Sequence, residues 1–489
     1  MPTFTEKSAV EDYFVKRLQE KGWRFVPADE LERESFEEPL LTNNLVRALK
    51  RLNAGIGGEE IKQVLNELKL KGAGMEGSKQ VLNYYKFGVA VKFEKERVVK
   101  YVKLFDYENP QNNEFIMSRQ ARYHGREDIR TDVMLYVNGI PLVDIELKSP
   151  VSFSESWRDA YRQIKDYEKN VPELFKYVQI GIAAEQVAKY FPTVPWQEEV
   201  KIHEWREEGK DSIDSTIEML SPATLLDIIK NFLFYRVEMG NETKVIARYM
   251  QYRAANKIVD RVLNHLEGKE EKNKGLIWHW QGSGKTFTMI FAANKLYHDE
   301  RLENPTIFFI VDRIELEEQL YGEFASLDMP PEIINSIEEL RRILRHDEGR
   351  GKRGIMLTLI HKFRPEEIDE LRRELEELSQ SKETIQNRKN VIAFVDEGHR
   401  TQYGSLAAEM KSVLKSAFFF AFTGTPISKR GRDTYLEFSY PPQENYFDKY
   451  FITDSIKDGF TVRIAYQPRL EREVHLKKEM LETFLEVEF

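Results

Sequence analysis

Five short apolar runs, Leu276 to Trp280, Thr306 to Asp312, Ile355 to Leu359, Val391 to Asp396 and Ala417 to Thr423, alternate with helical stretches and carry little polar alternation of their own. A strand apolar on both faces has to be covered on both faces, and helices between such strands act as crossovers. The second half of the chain is therefore expected to build a parallel sheet with helices on each side.

At 489 residues the chain exceeds what one hydrophobic core organises, and about three compact units are expected. The spacing of Val10, Tyr13, Phe14 and Leu18 predicts a helix over Ala9 to Trp23, and extended segments are expected at Val98 to Phe105 and Val133 to Leu147. Lys71 to Lys79, with Gly72, Gly74 and Gly77, reads as a loop. The first unit is thus α+β or α/β. Leu225, Ile228, Ile229 and Phe232 form an apolar stripe, so residues 216–250 are expected to be a helical connector between a unit at 1–215 and a second at 251–468. Arg364 to Asn390, dense in Glu and Arg, reads as a solvated helical insertion.

The chain has no cysteine, and Glu6, Lys7, Glu11 and Asp12 interrupt the N-terminus where a signal peptide needs an apolar core. The longest apolar run, Ala417 to Phe422, is far too short to span a bilayer. A cytoplasmic setting with no membrane role is expected. The net charge of −9 means that any contact with nucleic acid must use local basic surface. Candidate patches are Arg341, Arg342, Arg345, Arg350, Lys352 and Arg353, and Lys429, Arg430 and Arg432.

Between an apolar strand and a helical run stands Trp280-Gln281-Gly282-Ser283-Gly284-Lys285-Thr286. This is the setting of a phosphate-binding loop: Gly282, Ser283 and Gly284 let backbone amides wrap phosphates, Lys285 reaches the β and γ phosphates of ATP, and Thr286 holds Mg2+. His279 occupies the place of the loop's first glycine. Asp396 and Glu397 close a second apolar strand, where a magnesium-linked aspartate and a water-activating glutamate belong.

These residues resemble superfamily 2 helicases and translocases. Asp396-Glu397-Gly398-His399 is similar to their D-E-x-H box, and Thr423-Gly424-Thr425-Pro426 to the motif linking nucleotide state to DNA movement. Arg248 and Gln251 resemble the adenine-reading glutamine motif. Val311-Asp312-Arg313 and Thr358 fall where DNA-contacting motifs Ia and Ib would lie.

A second chemistry is spelled by Asp132, Glu146 and Lys148. Metal-dependent phosphodiester cleavage needs carboxylates to hold Mg2+ and a cation near the attacking water or the phosphate. Glu146 and Lys148, two apart in an apolar strand, share a face. The position of Asp132 depends on the turn at Asn138-Gly139. A two-residue turn pairs Val137 with Ile140 and Asp132 with Ile145, on the wrong face; a three-residue loop with a bulge at Gly139 pairs Tyr136 with Ile140 and Asp132 with Asp144, on the right one. The nuclease reading therefore expects the bulge at Gly139, and a plain two-residue turn would weigh against it.

Asn138 to Lys148 closely resembles the nuclease motif of the restriction (HsdR) subunit of type I restriction enzymes, within the PD-(D/E)xK fold. Gln163 and Tyr167 match the Q-x3-Y motif of the RecB-like branch, on a helix against the catalytic sheet. Glu11 lies where relatives carry an auxiliary acid, although a surface glutamate accounts for it as well. The resemblance covers nearly the whole chain in the family's order: a PD-(D/E)xK endonuclease domain at 1–215, then a first RecA-like motor domain. Residues 469–489, after Tyr450 to Asp458, Gly459 and Thr461, resemble the lead-in to a second motor domain expected beyond Phe489. On this expectation the chain alone binds ATP weakly and does not translocate DNA, because the second domain donates the arginine that stabilises phosphoryl transfer.

The resemblance implies an endonuclease and ATP-dependent DNA translocase subunit of a restriction-modification complex. Its partners would be double-stranded DNA and separate methyltransferase and specificity subunits. Two alternatives stand beside it: a stand-alone helicase-nuclease of repair or defence, and a truncated, non-catalytic DNA-binding or assembly subunit.

Overall fold

A computed structural model describes residues 6–93, 96–149, 156–238, 240–311, 314–327, 329–359, 364–380, 383–396, 410–429 and 432–463. Helix α1 (Glu6–Glu20) leads into strand β1 (Arg24–Phe25), then α2 (Thr42–Leu52), α3 (Gly58–Leu70) and α4 (Met75–Phe87). The loop expected over Lys71 to Lys79 is confined to its first residues, and Gly77 lies inside α4, where its Cβ position falls 2.0 Å from the Gly72 carbonyl oxygen. Strands β2 (Val89–Phe93) and β3 (Val98–Val102) form a separate hairpin.

The first large sheet follows. Its members are β4 (Phe115–Arg119), β7 (Val133–Val137), β8 (Ile140–Leu147), β9 (Ile180–Ala184) and β10 (Ala188–Pro192), with β5 (Arg122–Tyr123) and β6 (Ile129–Arg130) making a small ribbon between β4 and β7. The order is β1-β4-β7-β8-β9-β10, with β1-β4 and β8-β9 parallel and the rest antiparallel. Helix α5 (Trp157–Asn170) starts where Ser156 accepts from the Arg158 amide and Asp159 accepts from the Ser156 amide, a reciprocal cap. It buries Ala160 and Ile164 on the sheet, which leaves Gln163 and Tyr167 on the turn facing the end of β8. A short helix α6 (Pro172–Phe175) leads to β9.

The expected helical connector is only half helical. After α7 (Ser212–Met219) and α8 (Pro222–Asn231), strands β11 (Leu233–Glu238) and β12 (Asn241–Ile246) pair as a hairpin. This hairpin joins both halves of the molecule. Arg236 of β11 pairs with Glu323 at 3.0 Å and Phe234 packs on Phe291, while Lys244 of β12 donates to Gln179 at 2.9 Å. Nearby, Arg17 pairs with Asp214, and the Trp23 indole donates to the Leu220 carbonyl at 2.9 Å. A continuous apolar cluster runs through both halves, from Phe14 to Phe422.

The remaining elements are α9 (Tyr249–Leu266), β13 (Lys274–His279), α10 (Lys285–Tyr297), β14 (Thr306–Val311), α11 (Ile314–Ser326), β15 (Glu332–Ile334), α12 (Ile337–Arg345), β16 (Gly354–Leu359), α13 (Pro365–Ser379), β17 (Val391–Asp396), β18 (Phe418–Thr423), the ribbon β19 (Ser428–Lys429) and β20 (Arg432–Asp433), α14 (Thr434–Phe438), β21 (Asp448–Tyr450) and α15 (Ile452–Lys457), besides short 3-10 turns. All five expected strands are present. The sheet is β15-β16-β14-β17-β18-β13-β21, and every pairing is parallel. Helix α13 is not a solvated insertion: Ile368, Leu371 and Leu375 are buried in a second core while its charged face stays outside. Among the described residues no helix is long and apolar enough to cross a membrane.

Candidate active sites

The turn between β7 and β8 is the plain two-residue form. Asn138 and Gly139 both have left-handed backbone angles, φ 51° and 82°, and Val137 pairs with Ile140. The bulge expected at Gly139 is absent. Gly139 is nevertheless obligatory, since its Cβ position lies 2.5 Å from the Leu41 carbonyl oxygen.

The register is corrected two residues later. Tyr136 pairs with Pro141 but Leu135 pairs with Val143, so Leu142 is an extra residue on β8. Beyond it the pairs are Met134 with Asp144 and Val133 with Ile145, which sets Asp132 opposite Glu146 rather than Ile145 or Asp144. The two acids are knitted together through the backbone. The Asp132 amide donates to Glu146 Oε1 at 2.9 Å, the Leu147 amide donates to Asp132 Oδ2 at 2.9 Å, and the Gln120 side chain reaches Asp132 Oδ1 at 3.3 Å.

Lys148 continues the same face. Its ammonium donates to Gln163 Oε1, the Gln163 amide donates to the Tyr167 hydroxyl, and that hydroxyl donates to the Arg130 carbonyl at 2.9 Å. The Lys148 head is thereby aimed by α5. Glu11 is no surface residue: it is buried, and Arg119 donates to it at 2.6 Å.

Asp144, expected on this face but given no role there, joins it. Asp144 is fully buried two residues before Glu146, and neither of its carboxylate oxygens has a hydrogen-bond partner, nor has Glu146 Oε2. Period-two spacing from Glu146 was the signal for it. Burial, with the Asp132 charge nearby, holds the Asp144 carboxyl well above the usual carboxylate range; burial, with Asp144 and Asp132, does the same for Glu146. Anions without donors are costly in a dry interior, and a divalent cation is the group that offsets them. The donor set fits Mg2+ or Mn2+. Among the described residues no three acidic or histidine side chains surround one point, and Asp132 and Glu146 would supply two ligand groups to an ion that keeps several waters.

In the second site, β13 ends at His279, and the loop after it has Gly282 and Gly284 at φ 77° and 76°. Gly284 precedes α10 without a side-chain cap, so the positive end of the helix opens onto the loop. Gln251 and Arg248 brace the loop from α9: the Gln251 amide donates to the Ser283 and Gly284 carbonyls, both at 3.2 Å, and Arg248 donates to the Gly282 carbonyl at 3.1 Å. A Cβ on Gly284 would lie 2.4 Å from that amide. His279 replaces the loop's first glycine for a packing reason. Its buried ring meets Asp448 of β21 at 2.7 Å, and Asp448 also accepts from Arg253 and Lys257 at 2.9 Å.

Because the sheet is parallel, β13, β18 and β17 deliver the loop, Thr423 and Asp396 to one edge. Thr423 Oγ1 accepts from the Thr425 amide at 3.1 Å, and the Trp278 indole donates to the Gly424 carbonyl at 3.1 Å. Glu397, Gly398 and His399, like Asp312 and Arg313, lie outside the described residues. Thr358 is not at a surface: it is buried and donates to the Ile334 carbonyl at 3.3 Å. The first expected basic patch is also largely neutralised. Arg341 and Arg345 pair with Glu374, Arg342 and Lys352 with Glu332, and Arg350 with Asp347. In the second, Arg430 lies outside the described residues.

Comparison with known proteins gives two family matches: residues 3–200 match the type I restriction enzyme R protein N terminus, and residues 250–488 match the SWI2/SNF2 ATPases. The chain is 34% identical over 475 residues to a Methanocaldococcus jannaschii protein named as a type I restriction enzyme MjaVIIIP endonuclease subunit, covering 92% of this chain and 45% of the relative. It is 30% identical over 511 residues to the type I restriction enzyme HindI endonuclease subunit of Haemophilus influenzae, covering 96% and 46%. The chain thus spans a little under half the length of these relatives. A solved nuclease-deletion mutant of the type ISP restriction-modification enzyme LlaGI, in complex with a DNA substrate mimic, matches 44% of this chain and 20% of its own at 16% identity and a TM-score of 0.29, too distant to carry an argument. The α/β class and the RecA-like parallel sheet agree with the ATPase match, which also implies use of ATP.

Proposed function

We infer that this chain, which belongs to the type I restriction R-protein family through residues 3–200 and to the SWI2/SNF2 ATPases from residue 250, is the cutting and motor part of a restriction-modification enzyme. In this reading it cleaves double-stranded DNA with Mg2+, works in the cytoplasm with methyltransferase and specificity subunits, and uses ATP to translocate DNA before cutting. Residues 1–215 form the endonuclease domain and 251–468 the first motor domain. The observation that carries the reading is the buried Asp132–Glu146 pair, with an unpartnered oxygen on Glu146 and with Lys148 two residues further along, its ammonium held by Gln163.

When bound, Mg2+ supplies Lewis-acid neutralisation of the phosphate charge. Asp132 and Glu146 would hold it. Lys148, aimed by Gln163 and in turn by Tyr167, stabilises the charge that develops on the phosphate during attack by water. At the second site Lys285 would take the β and γ phosphates, Thr286 and Asp396 would hold the magnesium that accompanies them, and Gln251, whose amide is spent on the Ser283 and Gly284 carbonyls, would keep the loop in shape. Glu397 positions the attacking water, while His399, Thr423 and Thr425 pass the nucleotide state onward.

The test is cleavage of duplex DNA by the purified chain with Mg2+ or Mn2+. Glu146→Ala and Lys148→Ala should each lower the rate by roughly a hundredfold or more. Cleavage at the wild-type rate by either variant would refute the nuclease assignment.

A further inference from the structure

Arg122, Arg126 and Arg130 sit on the β5–β6 ribbon that leads into the catalytic strand, and all three are exposed. Arg122 lies directly opposite Arg130, and Tyr123 opposite Ile129. Tyr123 and Ile129 are buried, so the two arginines project together from the outer face. Among the described residues none of the three arginines has an ion-pair partner, whereas Arg119, just upstream, is paired with Glu11 and Asp12. Like charges placed directly across a ribbon are destabilising unless an anion shares them.

The ribbon is also held stiffly. The His124 amide donates to the Phe36 carbonyl at 3.0 Å and the Arg126 amide to the Asn170 carbonyl at 2.8 Å. A Cβ on Gly125 would come 2.3 Å from that same Asn170 oxygen. The Arg130 carbonyl accepts from Tyr167, the residue that orients Gln163 and Lys148, and Arg130 is two residues from Asp132. The acids of the tip are turned elsewhere. Asp128 meets His124 at 2.6 Å, and a groove of about 530 Å³ beside α5 is lined by Glu127, Asp128, Asp159 and Asp166 with only Arg162 and Lys169 to balance them. Phosphate is repelled from that groove and drawn to the arginine face.

We propose that the β5–β6 ribbon is the surface on which the backbone of double-stranded DNA lies while its phosphate is presented to Asp132, Glu146 and Lys148. The proposal rests on the nuclease reading above and adds the DNA contact to it. Guanidinium groups grip phosphates by bidentate bonds and read no base, so the contact should be independent of sequence.

The experiment measures fluorescence anisotropy of two unrelated duplexes, with Ca2+ in place of Mg2+ and the full chain in each case. In the triple variant R122Q/R126Q/R130Q the slope of log affinity against log salt should shrink by about 2–3, near 0.9 for each phosphate contact removed. The same triple change to Lys should keep the wild-type slope. Unchanged binding in the Gln variant overturns the proposal, as does equal loss in the Lys variant or loss on one duplex alone. Should the Gln variant fail to fold, phenylglyoxal labelling of the wild-type chain decides: duplex DNA must protect Arg122, Arg126 and Arg130. Cleavage by the wild-type chain with Mg2+, measured in parallel, separates the two claims: a chain that cuts DNA while the Gln variant keeps the wild-type slope refutes the ribbon contact and leaves the nuclease reading standing.

Discussion

Replacing Glu146 by Gln should stabilise the protein in the absence of metal. Glu146 Oε1 accepts the Asp132 amide, an interaction that a glutamine oxygen retains, whereas Oε2 is buried without a partner beside the equally unpartnered Asp144 carboxylate. A buried group left unsatisfied costs about 1–3 kcal/mol, more when charged. The amide nitrogen of the substituted side chain would instead offer a donor to a neighbouring carboxylate. For a chain of this length unfolding as one unit, the melting temperature moves about 1 °C per kcal/mol, so the variant should melt about 1–3 °C above wild type in EDTA. With metal the sign changes. At a metal concentration of about 100 times Kd the wild-type chain gains about 2.7 kcal/mol, and the variant gains little.

The pH dependence follows the same logic. Burial raises the Glu146 and Asp144 carboxyls above their ordinary values, so the folded state binds protons that the unfolded chain has released. Their contribution is complete below the unfolded carboxylate pKa, about 4, and is lost as pH rises through the higher folded values. Metal-free wild type should therefore lose stability as pH rises above the unfolded carboxylate value, and Glu146→Gln should flatten that slope. Differential scanning fluorimetry in EDTA and in Mg2+ reads all of this. A variant that melts below wild type in EDTA, or that gains as much from metal, refutes the account of Glu146.

Two further changes probe features the motifs alone would misjudge. His279→Gly restores the simplest phosphate-loop pattern yet removes a buried ring from Asp448, and should cost about 3–5 kcal/mol in thermal unfolding; a neutral result would show that the ring anchors nothing. Gly139→Ala should cost about 2–4 kcal/mol, combining the left-handed backbone with the approach to Leu41, and denaturant unfolding that detects under about 0.5 kcal/mol would disprove the turn's tightness.

The parallel sheet and the phosphate loop were legible because apolar strands without alternation and glycines at fixed offsets are local signals. The register at the nuclease face was not. It depends on Leu142, an ordinary apolar residue whose extra place in β8 appears only once β7 lies beside it; Pro141, awkward within a strand, was the one hint. The β11–β12 hairpin was hidden by the strong helical stripe ahead of it, although Phe234, Tyr235 and Val237 are residue types that favour a strand. Charge patches were the least legible. Arg341 and Arg345 looked free in sequence and are paired with a glutamate about thirty residues away, while Arg122 and Arg130, unremarked in the sequence, are brought face to face by pairing.

The hairpin that joins the two halves has a thermal consequence. Cutter and motor share one apolar cluster, and β11–β12 clamps α11 on one side and Gln179 on the other, so neither half presents a finished surface without its neighbour. Calorimetry should record a single heat-absorption peak rather than two, and a protease should find no nick that releases an intact cutter.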